Sequence, residues 1–180
     1  MARPRTIDRE RLLDAAESVV AAGRIAALTF GSVAAASGVP KASVQSAFGT
    51  REGMIDAMLQ RWLAREEQRF ERAAGKRPSA RKRMQAHIRT TEEEDTGSRM
   101  ATLLAALAGS GEQSASTAAW YRARIGSLTA KTREQRRLRV AFLAAEGAFY
   151  IRHLVGFPIS EALWHDIFED LLAFVAEDSE

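Results

Sequence analysis

Residues 29–48 read TFGSVAAASGVPKASVQSAF, a stretch whose small and apolar residues stand where two helices crossing at a tight turn need them. Val33 and Ala34 are predicted to face inward on a short first helix, and the small Ala34 lets the second helix cross close above it. Gly38 supplies the backbone freedom for the sharp turn, and Val39 closes the turn with an apolar side chain. The pattern predicts a helix-turn-helix.

The second helix of this motif is predicted to begin at Pro40, because proline has the fixed φ angle that suits the first position of a helix. Val44 points back into the small core. The side chains left exposed are short enough to reach base edges in a major groove. They are Lys41, Ala42, Ser43, Gln45 and Ser46. Two ordinary short helices around a glycine turn give the same local pattern, so the flanking sequence has to decide.

The flanks on both sides have helical periodicity. Upstream, residues 8–22 carry apolar residues on one face, namely Leu12, Leu13, Ala16, Val19 and Val20. Downstream, Thr50 can cap a helix with the same period. Its apolar positions are Met54, Ile55, Met58, Leu59 and Trp62. Three short helices followed by a long fourth are therefore predicted.

This arrangement resembles the DNA-binding domain of the TetR family of bacterial repressors. The resemblance is carried by RERLLDAA at 9–16, Ala22-Gly23, Leu28-Thr29, Val33-Ala34, SGVPKASV at 37–44, Phe48 and TREGM at 50–54. The family usually has a tyrosine, which typically touches a phosphate, where this chain has Gln45, and commonly a histidine where it has Ala47. Gln45 is therefore expected either to read a base or to make a weaker backbone contact.

The resemblance implies an all-α protein with an N-terminal three-helix helix-turn-helix DNA-binding domain and a C-terminal helical ligand-binding and dimerisation domain, about nine helices in total. The domains are expected at residues 1–51 and 52–180. Candidate DNA-contacting residues are Arg3, Arg5, Thr29, Lys41, Ala42, Ser43, Gln45, Ser46, Thr50 and Arg51. Arg3 and Arg5 would act as an arm in an adjacent minor groove, the alternative being a solvated, mobile tail.

The charge distribution agrees with a DNA-facing N-terminal domain. Residues 1–51 hold seven basic and four acidic side chains, a net charge of +3, whereas residues 52–180 hold nineteen of each. Neutralising phosphates with this excess releases counterions and makes association sensitive to salt. The basic run at 76–83 is interpreted as a solvated cluster at a helix junction, with added phosphate contacts as the alternative.

Composition excludes several other classes. The chain has no cysteine, which excludes disulfide scaffolds, thiol catalysis and cysteine-ligated zinc. It has no signal-like apolar run at its start and no run of apolar residues long enough to span a membrane, so we expect a cytoplasmic protein. The sequence shows no pattern of a nucleophile–base pair and no glycine-rich phosphate-binding loop. The histidines lack the short spacing that is typical of metal ligands. We therefore predict no enzyme, no cofactor and no metal.

Beyond residue 50 the pattern stays helical, interrupted where glycine, proline and serine gather. Helices are predicted near 50–74, 79–92, 98–109, 115–129, 132–155 and 160–176. The last two are apolar on more than one stripe, which indicates burial on two sides, either across a two-fold axis or entirely within one subunit. Residues 143–149 and 154–160, LAAEGAF and LVGFPIS, look like the C-terminal domain of a subset of TetR-like proteins, in which these helices form a four-helix bundle between subunits. The candidate interface residues are Ala144, Ala148, Ile151, Trp164, Ile167, Phe168, Leu171 and Val175.

A ligand pocket is expected in the C-terminal domain. Its candidate residues are Met84, His87, Met100, Leu104, Trp120, Tyr121, Phe142, Glu146, Phe149, Tyr150 and His153. Apolar members at helical spacing can equally be plain core. Glu146, Tyr150 and His153 share one helix face and would either orient a largely apolar ligand or form a satisfied polar patch at the dimer interface.

The sequence thus predicts a homodimeric, sequence-specific transcriptional regulator, a repressor released from a palindromic operator by a small, largely apolar effector. Gln45 and Ala47 keep a second hypothesis open, in which the chain is a helical interaction module or ligand-binding protein that has lost specific DNA binding.

Overall fold

The computed structural model describes residues 8–23, 25–93, 101, 103–105, 115–126 and 128–176. Within these ranges the chain is all-α and contains no strand, as predicted. The α-helices are α1 (Arg9–Gly23), α2 (Phe30–Ser37), α3 (Lys41–Phe48), α4 (Arg51–Ala74), α5 (Ala80–Glu92), α6 (Ala115–Ile125), α7 (Arg133–Tyr150) and α8 (Glu161–Ala176). A 3-10 turn, Ile25–Ala27, follows α1, and a π-helical turn, Ile151–Val155, extends α7. Residues 101 and 103–105 are also helical.

The helices begin and end close to the predicted positions, with one clear difference. The helix expected to reach residue 129 stops at Ile125, because Gly126 takes a left-handed φ of 69° that a helix cannot continue through. The helix predicted at 98–109 lies largely outside the described residues. Among the described helices, none combines the length with the hydrophobicity that a membrane crossing requires.

Packing divides the chain into two compact units. The first unit comprises residues 1–61 with 102–114, and the second comprises residues 62–101 with 115–180. Helix α4 begins in the first unit and ends in the second.

The core of the first unit is built from the apolar faces that the sequence period indicated. Helix α1 packs on α2, and α2 on α3. The fully or nearly fully buried side chains include Leu12, Leu13, Ala16, Val20, Leu28, Val33, Val44, Met54, Ile55 and Met58. The three helices are therefore held as one body by a shared apolar centre.

The turn between α2 and α3 is fixed by backbone bonds. Gly38 has a left-handed φ of 67°, and the carbonyl oxygen of Ala34 accepts bonds from the N–H groups of both Gly38 and Val39. Arg11 on α1 donates from Nη2 to the carbonyl oxygen of Ser37 at 2.8 Å. Pro40 stands at the cap before α3, with an extended ψ of 141°, and not at the first helical position as predicted. Its fixed φ therefore orients the entry into α3 from one residue earlier.

The core of the second unit is formed by α5, α7 and α8, each of which packs on the other two. Trp164, Phe168 and Val175 on α8 are buried here, and Trp164 Nε1 donates to the carbonyl oxygen of Glu92 at 3.0 Å. Burying an apolar side chain of this kind stabilises the fold by roughly 1.5–3 kcal/mol. These three residues were predicted at the dimer interface. That prediction is wrong for them, because they are already covered within the subunit.

Candidate functional site

Helix α3 presents one buried and one exposed side. Val44 and Phe48 anchor it to the core of the first unit. The exposed residues are Lys41, Ala42, Gln45 and Ser46, while Ser43 and Ala47 are half-buried. The structure thus brings the predicted reading residues together on one surface, except that Ser43 lies at its margin.

Thr29 and Thr50 act as helix caps on the same unit. Thr29 Oγ1 accepts a 3.0 Å bond from the N–H of Ser32, and the Ser32 hydroxyl in turn accepts one from the N–H of Thr29. Thr50 Oγ1 accepts a 2.9 Å bond from the N–H of Gly53. Both threonines are exposed, so each marks a helix N-terminus at the surface, where backbone N–H groups and the helix dipole favour an anion such as a phosphate.

Arg51 has a structural role that the sequence pattern did not indicate. Its Nε donates to the carbonyl oxygen of Leu28 at 2.9 Å and its Nη2 to that of Ile25 at 2.8 Å. The guanidinium is half-buried and joins the start of α4 to the 3-10 turn. The guanidinium therefore has a structural role within the first unit, and its predicted DNA contact stays a prediction. Arg3 and Arg5 lie outside the described residues.

The second unit contains a cluster of polar side chains inside its core. Tyr121 donates its hydroxyl to Glu146 Oε2 at 2.6 Å and lies 3.0 Å from the Tyr150 hydroxyl. The Nε2 atom of buried His87 lies 3.2 Å from Glu146 Oε1. Burial, and then the neighbouring Glu146 carboxylate, raise the pKa of Tyr121 far above its ordinary value. Burial likewise raises the pKa of Tyr150. Both phenols therefore stay protonated and available as donors.

Aromatic rings enclose this cluster. His87 stacks on Phe142 with ring centroids 4.7 Å apart, and Tyr121 meets Phe142 edge-on at 6.1 Å. The ring centroids of Trp120 and Tyr121 lie 5.0 Å apart. The buried Nε1 of Trp120 has no hydrogen-bond acceptor among the described residues. The site therefore combines apolar walls with a few fixed polar groups, the composition typical of small-molecule sites.

Not every predicted pocket residue joins this cluster. His153 instead packs against Phe149 and Trp164, with ring centroids 4.9 and 5.7 Å apart, respectively. Leu104 is half-buried in the first unit, and Met100 lies outside the described residues. Glu146 and Tyr150 find their partners within their own unit. Their hydrogen bonds are therefore formed without a second subunit.

A cavity of about 230 Å³ adjoins the cluster through His87 and Phe142. It is lined by Ala80, Arg83, Met84, His87, Arg124, Ile125, Thr129, Gln135, Leu138, Arg139 and Phe142. Sequence reasoning missed its three arginines and placed Arg83 in a solvated basic run. A signal was present, because Gln135, Arg139 and Phe142 recur at helical spacing on the α7 face that also carries Glu146.

One surface of the second unit is apolar and exposed. On α7 and the segment after it the exposed residues are Val140, Leu143, Ile151, Leu154, Val155 and Phe157, and on α8 they are Leu163 and Phe174. Of the predicted interface residues, Ala144 and Ile151 are exposed, and Ala148, Ile167 and Leu171 are half-buried. Leu143, 52% exposed, and Phe174 were not predicted for the interface. Large exposed apolar side chains of this kind mark a surface that associates with another molecule.

No group of three or more metal-ligating side chains occurs among the described residues.

An exposed polar helix on a rigid helix-turn-helix, joined to a separate helical unit with an internal polar site, defines the class of helix-turn-helix transcriptional regulators. A family model described as "Tetracyclin repressor-like, C-terminal domain" matches residues 81–176, more than half of the chain. The protein therefore belongs to the TetR family of transcriptional regulators, as the sequence predicted.

Solved structures show the same fold. A transcriptional regulator from Rhodococcus sp. Rha1 is 18% identical, with a TM-score of 0.68 over 93% of this chain and 95% of that one. The multidrug binding protein EbrR, solved in complex with imidazole, is 23% identical, with a TM-score of 0.64 over 91% and 93%. A TetR-family regulator from Streptomyces coelicolor A3 is 16% identical, with a TM-score of 0.54 over 98% and 99%. A comparison with curated proteins finds no match.

Proposed function

We propose that this regulator is a homodimeric repressor that binds a palindromic operator and is released from it by a small molecule. The observation that carries the proposal is the exposed row of Lys41, Ala42, Gln45 and Ser46 on α3. A helix held this rigidly by its turn and core can insert into a major groove without first being ordered.

The proposed contacts divide into two kinds. Lys41 and the exposed helix N-termini at Thr29 and Thr50 bind phosphates and position the domain. Gln45, with Ser43 and Ser46 beside it, reads base edges, because an amide can bond an adenine in two places. Arg3 and Arg5 remain proposed as a minor-groove arm, and residues 1–51 as the DNA-binding domain.

A second copy of the chain is the proposed occupant of the exposed apolar face on α7 and α8. Members of the TetR family dimerise, and one recognition helix buries too little surface for tight binding. Two copies held together convert the second half-site contact into an intramolecular one. Half-sites are then expected about 34–36 Å apart, or further if the subunits splay.

The effector is proposed to bind in the second unit, in the cavity that adjoins the Tyr121–Glu146 cluster through His87 and Phe142. EbrR, which shares this fold, is itself named as a multidrug binding protein. Helix α4 contributes residues to both units and offers a covalent path for coupling. By linkage, DNA must weaken effector binding by the same factor by which effector weakens DNA binding.

The test is selection of bound fragments from random duplex DNA, followed by affinity measurement at several salt concentrations. An inverted repeat, bound with strong salt dependence, is expected. Strictly monomeric protein that binds no duplex even at low ionic strength would refute the proposal. That outcome favours the alternative, an interaction or ligand-binding protein without specific DNA binding, for which Gln45 and Ala47 are the sequence grounds.

A further inference from the structure

The lining of the 230 Å³ cavity is cationic. Arg83, Arg124 and Arg139 contribute to its wall together with His87, and the described residues of the lining include no acidic side chain. The remaining wall is mostly apolar and includes Met84, Ile125, Leu138 and Phe142. An occupant suited to this surface is negatively charged at one end and apolar at the other.

Arg83 and Arg139 have no carboxylate partner among the described residues. Arg139 donates to the carbonyl oxygen of Leu128 at 3.0 Å and Arg83 to that of Ala123 at 3.4 Å. Within the described ranges, neither guanidinium lies within 4.0 Å of a carboxylate. Backbone carbonyls satisfy single donors but leave the net charges in place.

Three acids of the second unit are engaged with other partners. Glu67 pairs with Arg124 at 3.3 Å, and Glu134 with Arg81 at 3.8 Å. Glu146 accepts from Tyr121 and faces His87. These acids therefore do not supply a counter-ion to the cavity face of Arg83 or Arg139.

Arg124 is the third arginine of the lining, and its charge is paired with Glu67. Its side chain is 1% exposed, and the guanidinium lies between the rings of Phe70 and Trp120, at 3.6 and 4.5 Å from their centroids. Burial lowers its pKa, and the nearby Arg83 charge contributes in the same direction, but an arginine stays protonated in a protein. Because Glu67 lies 3.3 Å from this guanidinium, the proposed anion contacts are assigned to Arg83 and Arg139 and not to Arg124.

The cavity volume limits the size of the occupant. A cavity of about 150 Å³ is enough for benzene, and sites for drug-sized ligands begin near 300 Å³. A volume of about 230 Å³ lies between these values and suits a single ring or a short chain with one anionic group.

We propose that the cavity binds a small organic monocarboxylate, with the carboxylate at Arg83 and Arg139 and the apolar part against Leu138 and Phe142. The inference deepens the proposed function and depends on it only for the further role of this acid as the effector. It replaces the largely apolar effector expected from sequence by an anionic one.

The first experiment is titration calorimetry of the full-length protein with benzoate and hexanoate. Benzamide, which has nearly the shape of benzoate without its charge, is the matched control ligand. At least one of the two acids is expected to bind with a dissociation constant below about 1 mM, and benzamide at least tenfold more weakly.

The second experiment compares three single variants. R83Q and R139Q are each expected to weaken binding of the acid about tenfold, since each removes a charge-assisted hydrogen bond. R136Q is the control, because Arg136 is exposed on the same helix and does not line the cavity. Unfolding curves of all variants confirm that the fold is retained.

Equal affinity for benzoate and benzamide, no binding of either acid up to about 1 mM, or unchanged affinity in both cavity variants overturns the proposal. Operator binding is measured separately with and without benzoate and hexanoate. Operator bound by a protein that ignores both acids rejects this inference and leaves the proposed function intact. Acid binding without any operator rejects the proposed function and leaves the anion site standing.

Discussion

Arg51 bridges two carbonyl groups, donating from Nε to Leu28 at 2.9 Å and from Nη2 to Ile25 at 2.8 Å. Arg51 begins α4, and the two acceptors lie in and beside the 3-10 turn before α2. One guanidinium therefore links the start of α4 to the segment before α2 within the first unit. It does so through a group that the family pattern alone suggested for DNA.

The R51A variant is expected to lose about 1–2 kcal/mol of unfolding free energy, because two partly buried carbonyls lose a charged donor. R51K is expected to recover less than half of this, since one ammonium does not span both acceptors. R72A, which removes an exposed arginine within α4, serves as the control and should change stability by less than about 0.5 kcal/mol. Urea unfolding measures all three. A variant of Arg51 with unchanged stability but much weaker DNA binding would show the opposite role.

Gly38 is required for its backbone conformation and not for lack of space. A Cβ placed there would meet nothing closer than Arg11 Nη2 at 3.9 Å, but the φ of 67° is costly for a side chain branched at Cβ. G38V is expected to destabilise the protein by about 1–3 kcal/mol and G38N by clearly less, because asparagine tolerates the left-handed region. Thermal unfolding compares the two, and equal losses would indicate a steric cause instead.

Lys41 is expected to contribute a phosphate contact. K41A should weaken binding to specific and random duplexes alike and reduce the slope of log affinity against log salt by about 1. K82A, which removes an exposed lysine from α5 in the second unit, is the charge-matched control. Fluorescence anisotropy at several salt concentrations checks this prediction, and equal slopes for both variants would assign no phosphate to Lys41.

Gln45 is expected to read a base, so Q45A should act on sequence preference. A base contact is worth about 1–3 kcal/mol of discrimination at one position, so Q45A should bind the selected operator more weakly while its affinity for random DNA stays close to the parent value. Repeating the fragment selection with Q45A should then relax one position in each half-site. A uniform loss across all sequences would place Gln45 on the DNA backbone instead.

Sequence pattern predicted the first unit well because its signals are local. Gly38 and the periodic apolar positions of α1 and α4 each depend on neighbours within a turn or two. The roles of Arg51 and Trp164 depend on acceptors far along the chain, at Ile25 and Glu92, which spacing does not reveal. The same limit applies to the cavity, because Arg83, Arg124 and Arg139 converge only when three different elements pack together.

The exposed apolar face predicts the effect of placing charge on it. The double variant L143E/F174E should be monomeric in analytical ultracentrifugation, because burying two carboxylates in an apolar interface is costly. Its affinity for the operator should fall by at least about a hundredfold as the bivalent advantage is lost. L128E changes a side chain of similar exposure in the segment between α6 and α7, and it should stay dimeric. Dissociation by L128E but not by L143E/F174E would place the interface elsewhere.

The Tyr121–Glu146 bond predicts how stability depends on alkaline pH. Since the pKa of Tyr121 is raised in the folded state, the unfolded chain loses this proton first, above about pH 10. The folded protein then binds more protons than the unfolded chain, so its unfolding free energy falls as pH rises.

Y121F lacks the titrating hydroxyl. It should be less stable than the parent at pH 8 by about 1–3 kcal/mol, because Glu146 loses a donor, and this gap should narrow by about 1 kcal/mol at pH 11. Urea unfolding at both pH values measures the gap, and a constant or widening difference would mean that the phenol of Tyr121 titrates normally.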